Sequence, residues 1–305
     1  MLRIIFLGTG GSLPTRNRNP SAIMINRKGE LLLFDCGEGT QQQMMRAKTG
    51  MMSLSSIFIT HLHADHILGI PGLMQTMSFM GRKEPLLIYG PEGTREFTEL
   101  FEALGYFNLK YEVRGIELKP GDLVEREEYV IRALKTEHNI SSLGYALIEN
   151  PRPGRFNREK AIELGIPPGP LFAKLQKGNP VEVNGKLINP EDVMGAPRPG
   201  RTVVYSGDTR PCKSILEASK NADVLIHDGS FADEMADWAE ESKHSTAGEV
   251  AALAKEAGVR RLILTHISSR YTDDAEPILT DSKKIFENVI IAEDLMEIEI
   301  PYRSE

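Results

Sequence analysis

Ile57-Phe58-Ile59-Thr60-His61-Leu62-His63-Ala64-Asp65-His66 is an apolar run that ends in three histidines and an aspartate within six residues. Its composition predicts a strand over 54–60. Side chains two apart on an extended backbone point the same way, so His61 and His63 can reach one point. Asp65 and His66 turn into the next segment and can face a second point nearby. Imidazole and carboxylate together suit zinc, and also manganese or iron. The competing reading makes Asp65 a cap for a helix that starts at Ile67 and leaves the histidines at the surface. It serves for one histidine beside one aspartate; four ligand-type residues so close together favour a metal.

Outward from this stretch, residues of the same type follow other predicted strands. His138 follows 129–135, Asp208 follows 202–205 and His266 follows 261–265. Asp35 follows the second strand of a hairpin, 21–26 and 30–34, where it can orient a ligand histidine from behind or merely hold the turn. His227-Asp228-Gly229-Ser230 follows 224–226, and His244-Ser245-Thr246 precedes a helix over 246–257 capped by Ser245 or Thr246. Further strands are expected over 2–7, 85–89, 111–117, 143–149, 290–292 and 295–300. Helices are expected over 41–48, 93–104, 213–220 and 278–289, with a methionine-rich one over 66–80 despite Pro71. Its methionines read as core filler. Gly8-Thr9-Gly10-Gly11 is a tight turn and not a dinucleotide fingerprint, because Leu13 sits where the third glycine belongs. The only tryptophan, Trp238, lies in a polar stretch.

The 305 residues, 41% hydrophobic and 26% charged, suffice for a globular protein with a real core. A net charge of −7 argues against a chain basic throughout, yet leaves room for a local basic patch. Two cysteines, Cys36 and Cys212, are too few for a disulfide framework and fit a reducing, cytoplasmic setting. The first apolar run is too short for a signal peptide, and no stretch of about 18 apolar residues predicts a membrane span.

Two segments depart from the average. Pro14–Pro20 is a polar loop; Arg16, Asn17, Arg18 and Asn19 can donate hydrogen bonds to phosphate oxygens, or the loop is a plain surface connection. Residues 150–201 hold nine Lys or Arg against five Asp or Glu, a charge of +4, so the rest of the chain carries −11. Nine of the 18 prolines fall between 151 and 199. Apolar residues recur there and Gly/Ser low complexity is absent, which favours a protruding arm that grips phosphates, with Lys174 and Lys177 at basic tips, over a floppy linker.

The order His-x-His-x-Asp-His, His, Asp, His, each after a strand, resembles the metallo-β-lactamase superfamily, with Asp35 and Asp208 matching its first and fourth motifs. More closely, and essentially end to end, the chain is similar to the tRNase Z family, endonucleases that process tRNA 3′ ends. Leu33-Phe34-Asp35-Cys36-Gly37-Glu38-Gly39-Thr40-Gln41 is characteristic of that family. Pro14–Asn19 matches its Pro-x-Lys-x-Arg-Asn loop, with Arg16 in place of lysine. The segment around Pro168-Gly169-Pro170-Leu171 resembles its flexible arm, and His244-Ser245-Thr246 matches a further motif. His227-Asp228-Gly229-Ser230 stands where members often carry His-Glu-Ala-Thr, so the acid is kept one methylene shorter.

The resemblance implies an α/β protein: one αββα sandwich over 1–305, the metallo-β-lactamase fold, with a flexible tRNA-binding arm inserted at 150–201. It implies two zinc ions per subunit, with manganese or iron as alternatives. His61, His63 and His138 would hold the first, Asp65, His66 and His266 the second, and Asp208 would bridge. The implied reaction cuts precursor tRNA to leave a 3′-hydroxyl on the tRNA and a 5′-phosphate on the trailer. Asp65 would relay a proton, and His244, oriented by Asp228, would protonate the leaving oxygen. A homodimer is implied, one subunit's arm presenting tRNA to the other's active site. A small-molecule zinc hydrolase, such as a phosphodiesterase or thioesterase, would share the metal ligands but leave the basic arm unexplained. A noncatalytic RNA-binding protein would leave the ligand set unexplained.

Overall fold

Along each central strand, successive side chains enter different apolar clusters. In the strand Leu2–Gly8, Ile4 and Phe6 join one cluster and Ile5 and Leu7 another. Leu32 and Phe34 part from Leu31 and Leu33 in the same way, as do Val203 and Tyr205 from Val204. Strands that are apolar on both faces must be covered on both. The result is an αββα sandwich. The middle cluster joins Phe34 and Phe58 of one sheet to Tyr145, Tyr205 and Ile226 of the other. Met44, Leu73 and Phe101 cover the first sheet outside, and Ile215, Val250 and Ile278 cover the second. The computed structural model describes residues 1–104 and 108–303.

The first seven-stranded sheet runs Glu297–Glu299, Leu2–Gly8, Ala22–Arg27, Glu30–Phe34, Leu54–Phe58, Leu86–Gly90, Val113–Glu117. The second runs Val289–Ile291, Leu262–Thr265, Val224–Asp228, Thr202–Tyr205, Leu143–Glu149, Tyr129–Lys135, Leu123–Glu125. Each is antiparallel on one side of its central strand and parallel on the other. The carboxyl ends of parallel strands are where α/β folds place ligands. The hairpin at Lys28-Gly29 has both residues at positive φ, 53° and 99°, as a turn matched to sheet twist requires.

The helix expected over 66–80 is two helices, Ala64–Ile67 and Ile70–Phe79. Pro71 sits in the first turn of the second, where a missing N–H costs nothing. At the break, a Cβ on Gly69 would lie 2.2 Å from the Gly37 carbonyl oxygen. Met74 and Met77 are buried, as core filler should be. The expected helix over 278–289 spans only Glu276–Lys283. The strand Leu123–Glu125 and the helix Ala236–Ser242 were not foreseen; three residues give no usable period, and the helix is mostly polar. Thr246 caps Ala247–Ala257 in a reciprocal box with Glu249.

The chain divides into two compact units. One comprises Met1–Ile148 and Arg201–Tyr302; the other centres on Glu149–Gly200. Within the second, two short helices, Arg158–Glu163 and Pro170–Gln176, accompany a hairpin, Val181–Val183 with Lys186–Ile188. Ala161, Ile166, Leu175, Val181, Ile188 and Val193 form its own apolar cluster, and the rings of Phe156 and Phe172 lie 4.8 Å apart. Lys174 and Lys177 are exposed.

Candidate metal centre

Each of four histidines is anchored through one ring nitrogen, which leaves the other to face a common centre. His66 Nδ1 donates to Asp35 Oδ2 at 2.8 Å. His61 Nδ1 lies 3.0 Å from the Thr60 hydroxyl, which itself donates to Asp35. His138 Nδ1 donates to the Lys243 carbonyl at 3.2 Å. His266 Nδ1 lies 2.9 Å from the Ser230 hydroxyl, which donates to Asp228 Oδ1. Such partners fix ring orientation and tautomer. The free nitrogens gather in two groups. His61 Nε2 and His138 Nε2 lie 2.9 and 3.4 Å from His63 Nδ1. His66 Nε2 and His266 Nε2 each lie 3.5 Å from Asp65 Oδ2. Asp208 Oδ2 reaches both groups, 3.6 Å from His61, 3.3 Å from His66 and 3.1 Å from His266.

Nε2 of His66 and of His266 and Oδ1 of Asp208 are buried and make no hydrogen bond. Unpaired buried polar atoms are costly, and these converge. Burial drives the pKa of His61 well below the ordinary imidazole value, and lowers those of His63 and His138. Neutral imidazoles are what a metal needs. Burial opposes ionisation of Asp65 and Asp208, but the neighbouring His66 and His266 outweigh it and hold both carboxylates below the usual range. Burial also opposes charge on His66, yet Asp208 and Asp35 raise it well above the ordinary value. A cation in place of the Nε2 proton would face Asp208, while the Nδ1–H keeps its hydrogen bond to Asp35. The donor set therefore fits bound metal, and its buried histidines and carboxylates suit zinc, manganese or iron.

Beside this centre, His244 Nδ1 donates to Asp228 Oδ2 at 2.7 Å, and its ring stacks on His266 at 5.0 Å. Burial opposes its protonation, but Asp228 outweighs burial and raises His244 to about 9. Asp228 is itself lowered by His244 against the cost of burial. The shorter acid thus reaches the imidazole directly.

Residues 2–152 match the family profile described as anti-Pycsar protein Apyc1, and residues 173–267 that of a beta-lactamase superfamily domain. A protein named Ribonuclease Z from Methanosarcina acetivorans is 83% identical over 305 residues, with 100% of both chains covered. The chain belongs to the ribonuclease Z family. A Ribonuclease Z from Archaeoglobus fulgidus is 53% identical over 303 residues, 99% of each chain. Human tRNase Z, short form, superposes with a TM-score of 0.72 at 30% identity, covering 98% of this chain and 99% of that one. The metallo-β-lactamase fold protein YhfI of Bacillus subtilis gives 0.71 at 22% identity, covering 98% and 100%, and shares the fold. This is the metallo-β-lactamase fold, and the chain's ribonuclease Z relatives make it a metal-dependent phosphodiesterase.

Several residues of this ribonuclease Z site escaped the sequence. The Tyr205 hydroxyl donates to Asp35 Oδ2 at 2.8 Å, and Thr60 donates to Asp35 through both backbone and hydroxyl. The glycine turn serves the centre as well: the Ser12 N–H donates to Asp65 Oδ2 at 2.8 Å, and a Cβ on Gly11 would lie 2.5 Å from the His266 ring. Arg210 pairs with Glu249 and donates to the His244 carbonyl at 2.7 Å. The sequence signal that could point to Glu249 is its capping-box spacing, three residues after Thr246.

One correction concerns the polar loop. Arg16 and Asn17 are exposed and Asn19 is half-buried, but Arg18 is only 8% exposed and turns inward. Its guanidinium donates to the Thr9 hydroxyl at 2.7 Å and the Ala292 carbonyl at 2.5 Å, so it does not face a phosphate. The loop needs an internal clamp to hold its polar tip, and Arg18 supplies it. Arg18→Ala should lower the stability of the fold by about 2 kcal/mol, the scale of hydrogen bonds from a charged donor. Thermal melting should show this, while the salt dependence of RNA binding stays that of the parent; an unchanged melting temperature would contradict the clamp.

Proposed function

We propose that the chain is a dinuclear zinc endoribonuclease that removes the 3′ trailer from precursor tRNA in the cytoplasm. The observation that carries the reading is Asp208 Oδ2, set between the group that includes His61 and the group of His66 and His266. His61, His63 and His138 would hold one zinc, Asp65, His66 and His266 the other, with Asp208 shared. When bound, such a pair clamps the attacking and leaving oxygens of a phosphodiester and lowers the pKa of water toward about 7.

The protein's own groups then handle protons. Water attacks phosphorus in line, and Asp65 takes the proton it releases. The bond from phosphorus to the 3′-oxygen breaks, and His244 gives its Nε2 proton to that oxygen. Asp228 compensates the charge that His244 carries beforehand and holds its ring in place. Asp35 fixes His66 through a direct hydrogen bond. The products are a tRNA with a 3′-hydroxyl and a trailer with a 5′-phosphate. Mapping the cut on a precursor tRNA transcript with zinc, with manganese and with chelator tests this; activity that survives complete chelation would refute it. Cleavage of small esters but not of precursor tRNA would favour a small-molecule hydrolase.

A tRNA is too large for a pocket and is held by its backbone. Lys174 and Lys177 in the Glu149–Gly200 unit, with Arg16, Asn17 and Asn19 in the loop, are the proposed contacts. In the homodimer we propose, one subunit's arm serves the other's site. Removing residues 152–195 is expected to abolish cleavage of precursor tRNA while hydrolysis of bis(4-nitrophenyl) phosphate continues. Binding to the intact protein should weaken steeply with salt. Intact tRNA processing by the shortened chain would end the arm's role.

A further inference from the structure

A cavity of about 230 Å³ opens beside the metal centre and is lined by His244, His266, Phe231, Trp238, Arg270 and Leu13. It is unlike the centre in chemistry. Trp238 is 43% exposed and Leu13 60% exposed, large apolar surfaces turned to water. Arg270 lies with its guanidinium carbon 5.6 Å from the Trp238 ring and 6.0 Å from that of Phe231. Among the described residues it pairs with no carboxylate, so its charge is not neutralised by the protein. The Phe231 ring in turn lies 6.2 Å from that of His244. Phe231 is buried, so the exposed indole and the guanidinium are the groups on offer, and these are what stacks on a planar heterocycle and meets a phosphate. None of the proton-transfer or metal-holding roles above uses Trp238, Arg270 or Leu13.

Direction follows from His244. Resting on the reaction proposed above, its proton goes to the 3′-oxygen of the nucleotide on the tRNA side of the cut. The base nearest His244 therefore belongs to that nucleotide, not to the first nucleotide of the trailer. We propose that this cavity holds the last base of the mature tRNA body by stacking on Trp238, with Arg270 beside it. Stacking is tolerant of base identity, so the site senses that a base is present and correctly placed more than which base it is.

Trp238 is the only tryptophan in the chain, so its fluorescence reports the cavity alone. Precursor tRNAs made uncleavable by a methylphosphonate at the scissile position, intact or abasic on either side of it, are titrated into the full-length protein. Intact RNA and RNA abasic on the trailer side should quench the emission; RNA abasic on the tRNA side should not. With cleavable transcripts, the tRNA-side abasic nucleotide should lower kcat/KM about ten- to a hundred-fold, the range of one base–aromatic stack. Trp238→Ala should show a loss of similar size on intact RNA and no further loss with the abasic one. Trp238→Phe should recover most of it, and metal content should match the parent in both variants. Equal quenching by all three RNAs, or an abasic penalty undiminished in Trp238→Ala, overturns the proposal. Quenching in this pattern by a protein that cleaves no precursor tRNA would support the cavity and sink the nuclease reading instead.

Discussion

Asp208→Ala is expected to lower kcat/KM on precursor tRNA by about three orders of magnitude or more, because a metal pair contributes several kcal/mol of transition-state stabilisation. Asp208 is the carboxylate that faces both ligand groups. Its Oδ2 lies within 3.6 Å of nitrogens on His61, His66 and His266. Alanine leaves those imidazoles without the anion that draws cations to them, so both metals should be lost or weakly held. Elemental analysis of the purified variant checks this directly. His138→Ala is the contrast, since His138 belongs only to the group with His61 and His63 and should cost chiefly one metal. An alanine variant that retains two metals per chain and near-parental cleavage would show that Asp208 does not join the two groups.

His244→Ala is expected to slow turnover about a hundred- to ten-thousand-fold while both metals stay bound. His244 lies next to His266 but is held by Asp228, so its removal takes away a proton donor and not a ligand. A substrate with sulfur in place of the leaving 3′-oxygen needs little protonation, and the variant should lose far less on it. The pH profile gives a second check. Asp228 raises His244 to about 9, so the donor keeps its proton through neutrality and activity falls as pH rises past that range. Asp228→Asn removes the supporting charge, lowers the imidazole's basicity and should move the alkaline fall to lower pH. A thiol-leaving substrate hit as hard as the natural one would contradict the donor role.

Much of this site could be read in the primary structure because its chemistry is carried by rare side chains at strand ends. Histidine after an apolar run is conspicuous, and the same signal marks His61, His138 and His266. The supporting residues are common types whose roles depend on which strands become neighbours. Tyr205 reads as one more buried aromatic until the second sheet brings it against Asp35 of the first. Gly11 reads as a turn until His266 is packed against it. Arg18 reads as a surface cation, because nothing local shows that Ala292 will offer its carbonyl. The Met-rich stretch reads as one helix for a related reason: its period runs on past Gly69, while tight packing against Gly37 breaks it. In residues 150–201, elements of three to seven residues offer too little pattern to be recognised before folding.

The ligands come from both sheets, and the strand that delivers His266 lies in the interior of the second. His138 ends a strand of that same sheet, which pairs outward from Thr202–Tyr205 and is completed by Val289–Ile291. A polypeptide still emerging from the ribosome therefore lacks the full set of converging side chains until His266 and the strand Val289–Ile291 that flanks its own have been made.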